Sequence, residues 1–195
     1  MSATKLTKYL QSNPSVGIPP VSQKLAVPVV LSDSKGVRLQ NQVQSPVAQN
    51  IVWWAKKSRT TQEGLTWLRS NIQQKLTLLG NIHIYVWLAT CDLTHKTSGG
   101  RIALSAVDNT TEIIDTYKQF IDLSNSHPNC KLTFLEIPAY SISRWNKRSG
   151  AKPEQLSVFD QQDIDLLARV DSLNSRIKQL NSQLGVHAPN FNKDL

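Results

Sequence analysis

The stretch Val29-Val30-Leu31-Ser32-Asp33-Ser34-Lys35-Gly36 decides the fold. A short run of β-branched and aliphatic residues stops at small and polar residues and a glycine, the pattern of a buried strand ending in a tight loop. In open parallel sheets, ligands bind at the carboxyl ends of the strands. Ser34 therefore stands at the lip of the sheet, and the rest of the chain is read for what it brings there.

Upstream, residues 1–23 are rich in Ser, Gln and Pro, lack periodicity and read as a disordered leader. The folded part is expected over 24–195 as one unit. Its first strand covers Leu25 to Leu31, with Pro28 marking a strand start or a bulge. Downstream, 37–49 is polar with room for a short helix, and Ile51-Val52-Trp53-Trp54-Ala55 is a second strand. Thr60-Thr61-Gln62-Glu63 is a capping box. It opens a helix with Leu65, Leu68, Ile72, Leu76 and Leu79 on one face and Gly80 at its stop. Ile82 to Leu88 is apolar almost throughout, which predicts a strand covered on both faces. Asn109-Thr110-Thr111-Glu112 opens a helix with Ile113, Tyr117, Phe120 and Ile121 inward, and Lys131 to Ile137 is a fourth strand. A long helix over Asp160 to Leu184, closed by Gly185, leads to a fifth strand expected from Val186.

Strands alternating with helices at this spacing predict an α/β fold: a doubly wound, mostly parallel sheet of about five strands in three layers. Cys91 follows the third strand and Cys130 precedes the fourth. That puts them at opposite ends of the sheet, roughly 20 Å apart, and excludes a mutual disulfide. Leu166, Val170, Leu173, Ile177, Leu180 and Leu184 step by four and three along the last helix. The pattern suits self-association through 160–184 as a coiled coil, but three heptads favour packing on the sheet.

The 195 residues carry 22 Lys and Arg against 14 Asp and Glu, a net charge of +8 that favours anionic partners. There is no apolar run of about 18 residues to span a membrane, no secretory h-region and no disulfide framework. These features point to a cytoplasmic or nuclear protein. No Gly-x-Gly-x-x-Gly or Walker loop is present. Two cysteines and four scattered histidines give no zinc spacing. No cofactor or metal is expected.

Ser32-Asp33-Ser34 after the first strand and Ala89-Thr90-Cys91-Asp92 after the third resemble the first and third blocks of the SGNH (GDSL-type) hydrolases, the third normally being Gly-x-Asn-Asp. The whole of 24–195 resembles SGNH-like domains of animal mobile-element proteins. The likeness is carried by Trp53-Trp54, Tyr85-Val86-Trp87-Leu88, Thr90-Cys91-Asp92-Leu93-Thr94, Phe134-Leu135-Glu136-Ile137-Pro138 and Tyr140-Ser141-Ile142-Ser143-Arg144-Trp145-Asn146. The resemblance implies a flavodoxin-like fold and hydrolysis of acyl esters of small molecules by a serine, with Ser34 at the nucleophile position. Ser34 also reads as a small residue satisfying a strand-end turn. The oxyanion positions fall on Ser58, in place of the second-block glycine, and on Cys91, in place of the asparagine. A thiol is a poor donor, and a lost oxyanion donor typically costs about 100- to 1000-fold in turnover. Ala89 replaces the first glycine of the third block.

The block that supplies the family's base, Asp-x-x-His, does not occur. His187, His83, His95 and His127 are poor substitutes, and the sequence reaches Asp194-Leu195 before that block would fall. A domain truncated on this side and without a base is expected to be a poor esterase.

A binding role is the rival. Lys35, Arg38, Lys56, Lys57, Arg59, Lys96, Arg101, Arg144, Lys147, Arg148 and Lys152 fall in predicted loops on the carboxyl edge, with Tyr140 and Trp145 among them. Such a rim, Arg144, Trp145, Lys147 and Arg148 above all, suits single-stranded nucleic acid.

Overall fold

The structure, a computed structural model, describes residues 25–42 and 49–188. The leader expected over 1–23 lies outside the described residues. Four strands, β1 (Val27–Ser32), β2 (Val52–Ala55), β3 (Ile82–Trp87) and β6 (Cys130–Phe134), form an all-parallel sheet in the order β2-β1-β3-β6. The α/β architecture is the one expected. Pro28 sits inside β1 without breaking it. Val27 N–H is bonded on the β3 side, to Asn81 O, so the nitrogen of Pro28 faces β2, whose pairing begins only at Val29–Val52.

One face of the sheet is fully covered. Val29, Leu31, Ile84, Val86 and Phe134 are each under 1% exposed and pack beneath α2 (Thr61–Leu79) and α4 (Thr110–Asn125). Trp54 tilts against Trp67 of α2, and Tyr117 of α4 stacks on Phe134. The capping box predicted for α2 is present in both directions, Thr60 with Glu63. Asn109 does not cap α4 through its side chain; Asp108 accepts the Thr110 N–H instead.

The opposite face corrects the expectation for β3, whose residues alternate between buried and half-buried. Here α1 (Ser34–Gln42) packs against β1 and β2. Gly36 permits that approach, since a Cβ there would lie 2.5 Å from Ser32 Cβ. This helix starts at Ser34, three residues before the segment 37–49 given room for a short helix. His83 and Tyr85 stack on this face, with rings 4.5 Å apart.

Four further elements replace predicted loops. After β3 come the four-residue α3 (Thr90–Leu93) and a hairpin of β4 (Thr94–Lys96) and β5 (Ile102–Leu104). The segment between the fourth strand and the long last helix, read as loop, contains α5 (Ile142–Arg148). Asp163 caps it by accepting from Ser141 Oγ and the N–H groups of Ile142 and Ser143.

The fifth strand is not formed at Val186–Ala188, and the chain beyond 188 lies outside the described residues. The outer edge of β6 is covered by α6 (Leu156–Gln183), which starts four residues earlier than predicted. Asn181 Nδ2 and Oδ1 bond Phe134 C=O and N–H at 2.8 and 2.9 Å, and Asn174 does the same for Ile137. Two amides one heptad apart thus satisfy the backbone groups that a further strand would take. Leu166, Val170, Leu173, Ile177 and Leu180, the heptad face, are buried in the core.

Candidate functional site

At the carboxyl end of β1, each residue of the loop has a distinct task. Ser32 is fully buried. Its hydroxyl donates to Trp87 C=O at the end of β3 and accepts the Gly36 N–H of α1. Asp33, also fully buried, caps α1 by accepting the Lys35 N–H at 2.8 Å, and its second oxygen holds the Lys35 ammonium. Ser34 follows as the first residue of α1, half-buried, and no partner holds its hydroxyl among the described residues.

Lys35 corrects the reading of it as a rim cation. Its side chain is only 15% exposed. The ammonium bonds Asp33 and the Thr90 hydroxyl and lies 5.5 Å from the centre of the Trp87 ring. Burial pushes this ammonium below the usual lysine range, while Asp33 pulls the other way. Arg59 is likewise withdrawn: it is buried, donates to Trp54 C=O and lies over the Trp67 ring at 5.1 Å. Burial lowers the pKa of its guanidinium.

The loop after β3 supplies the other wall. Ala89 is held at φ 79, the left-handed conformation that a glycine takes without cost. Thr90, Cys91 and Asp92 then form α3. Cys91 is half-buried, with Sγ 3.9 Å from an Asp33 oxygen. Burial, reinforced by Asp33, pushes its thiol up to about 11, so it is neutral near pH 7. Asp92 is turned away toward α2 and accepts both the N–H and the hydroxyl of Thr61. Burial raises its carboxyl above the usual range, against those two bonds.

Ser58 lies at the turn after β2 at φ 61, a second non-glycine residue in the left-handed region. A glycine would take that geometry without cost. Ser58 is exposed, and its Oγ is 3.4 Å from Lys96 Nζ. Thus Ser34 and Cys91 border one cluster through Asp33, whereas the contact seen at Ser58 is with the hairpin.

None of the four histidines makes a hydrogen bond to this cluster among the described residues. His83 bonds Thr133, and burial followed by nearby Lys131 holds its imidazole below the usual range. His127 bonds Ser126, and His95 and His187 are exposed. No metal-holding group of His, Cys, Asp or Glu is found among the described residues. No helix among them is long and apolar enough to cross a membrane.

The proposed binding residues lie together on α5. Arg144, Lys147 and Arg148 are exposed, and Trp145, 39% exposed as a residue, donates through its ring N–H to Gly100 C=O and has its ring 5.5 Å from the Arg38 guanidinium. Tyr140 is not available for stacking: its hydroxyl donates to Thr90 C=O, and burial pushes the phenol up. Sequence reasoning missed Thr90 and the inward turn of Lys35. Both depend on the pairing of β1 with β3, which a local pattern does not carry.

No protein-family model matches the chain, and no curated protein is significantly similar to it. Its fold is found among solved structures. A GDSL-like lipase from Bacteroides thetaiotaomicron superposes with a TM-score of 0.50 at 13% identity, over 94% of this chain and 74% of that one. A lipase/acylhydrolase from Enterococcus faecalis gives 0.45 at 12% identity, over 84% and 75%. The chain thus shares the three-layer α/β fold of that GDSL-like lipase.

Proposed function

We propose that the chain is an SGNH-hydrolase-like domain with a serine-type site for acyl esters at Ser34, and that its turnover is impaired. One observation carries this reading: at the end of β1, Ser32, Asp33 and Lys35 are engaged with the scaffold, and of these four residues Ser34 alone has a side chain with no partner among the described residues.

In the proposed reaction, Ser34 Oγ bonds to the ester carbonyl carbon, and the carbonyl electron pair moves onto oxygen. The hydroxyl proton passes to solvent, because no imidazole of the described residues bonds the cluster. Backbone N–H groups at Ser34 and Ser58 would hold the oxyanion, with the Cys91 thiol a weak third donor. Collapse expels the alcohol, and water then cleaves the acyl-serine ester. The order of motifs shared with mobile-element proteins supports descent from such a protein.

The test is p-nitrophenyl acetate turnover by wild type, Ser34→Ala, Cys91→Ala and Cys91→Asn. Slow sustained turnover, lost in Ser34→Ala and raised about tenfold or more by Cys91→Asn, is expected. Turnover unchanged in Ser34→Ala, or a single burst that depends on Cys91, would end this reading.

A further inference from the structure

Three segments meet at the outer side of the carboxyl edge: α1, the β4–β5 turn and α5. The contact of Arg38 with Trp145 joins the first to the third. The bonds from Trp145 Nε1 and Ser149 Oγ to Gly100 C=O join the second to the third. Across 34–42, 97–105 and 141–155 the sole carboxylate is Glu154, against Lys35, Arg38, Arg101, Arg144, Lys147, Arg148 and Lys152. Lys35 is turned inward, and Arg101 is committed to Gly150 C=O and Gln155. Asp163 also faces α5, but its oxygens are taken up by the helix N-terminus. What remains outward is Arg144, Lys147 and Arg148, on neighbouring positions of one helix, with Lys152 beyond them and Arg38 beside Trp145.

We propose that this surface binds single-stranded nucleic acid, with Arg144, Lys147, Arg148 and Lys152 on the phosphates and the Trp145 ring stacked on a base. The argument is independent of the chemistry at Ser34. Charge complementarity selects a polyanion. Trp145 selects one with rings. Its indole is fixed by a hydrogen bond and by the Arg38 guanidinium, so little side-chain freedom is left to lose on stacking. A lipid surface fits less well, because Trp145 is the only large apolar residue exposed on α5.

The test uses the full chain and fluorescein-labelled U20, with binding read by anisotropy at 50 and 200 mM KCl. Heparin, a polyanion without bases, serves as competitor. Four phosphate contacts on a single strand weaken binding about 50-fold between those salts. The triple variant Arg144→Gln/Lys147→Gln/Arg148→Gln is expected to abolish most of the affinity. Arg69→Gln/Lys118→Gln/Lys131→Gln removes the same charge elsewhere and is expected to retain most of it. Trp145→Ala is expected to lose about tenfold for U20 and nothing for heparin. Circular dichroism establishes that each variant is folded. No binding at 50 mM KCl, equal losses from the two triple variants, or unchanged U20 affinity in Trp145→Ala would overturn the proposal; the last outcome would leave a surface for polyanions in general, acidic proteins included.

Discussion

Lys35 and Arg148 have the same formal charge, and the sequence places both after a strand at the same edge of the sheet. Lys35 lies under the protein surface against a fully buried Asp33, the Thr90 hydroxyl and the Trp87 ring. Arg148 stands in solvent at the end of α5, where a cation also suits the helix dipole. The first is a counter-ion that the fold requires, and the second is free to meet a partner. Burial, rather than residue type or position along the chain, separates scaffold from contact surface.

The sharpest way to break this comparison is to remove each cation. Lys35→Met leaves the fully buried Asp33 carboxylate without its ion partner, a change that costs about 3 to 5 kcal/mol. Arg148→Gln stays within about 0.5 kcal/mol of wild type. Urea unfolding of the two variants checks the pair, and equal midpoints would sink the distinction. The double change Asp33→Asn/Lys35→Met should recover part of the loss, since it removes both charges together.

Asn181→Ala asks whether burial matters as much for neutral groups. It strips the Phe134 N–H and C=O of their partners at the edge of β6, and a loss of about 3 kcal/mol is expected from two orphaned backbone groups. Substituting Ser182, exposed on the same turn, supplies the control.

Cys91 carries the comparison into reactivity. With its thiol pushed up to about 11, the thiolate at pH 8 is scarce, and alkylation by iodoacetamide should run more than about 100-fold slower than for a free cysteine. Because burial disfavours the charged form, the rate should rise about tenfold per pH unit toward pH 11. A rate at pH 8 equal to that of the urea-unfolded chain would show that the thiol is not buried as described.

The smallest expected effect is a gain. Ser58 is exposed at φ 61 and holds little besides a long contact to Lys96, so Ser58→Gly should stabilise by about 0.5 to 1 kcal/mol in thermal unfolding. A loss would mean that the serine side chain has a role at this turn.

Much of this molecule was legible from local pattern. The apolar runs of β1, β2, β3 and β6 and the capping box at Thr60 and Glu63 were read directly, because strand alternation and helix capping act within a few residues. The position of Ser34 at the end of β1 followed from the same reading. What was not legible involved partners far away in the chain. The helix α5 is a short segment capped by Asp163, about twenty residues downstream. That no fifth strand pairs with β6 among the described residues follows from Asn174 and Asn181, whose amides carry no local signal of this role.

The sequence by itself determined the alternation of strands and helices, the end of β1 that carries Asp33-Ser34, and the excess of positive charge. Only the tertiary structure decided which cations turn inward, what closes the edge of β6, and that Arg38, Gly100 and Trp145 share one surface. The physical reason is range. Backbone propensity and capping are settled by near neighbours, but desolvation of an ion pair or a backbone group depends on segments 45 to 55 residues away that fold over it.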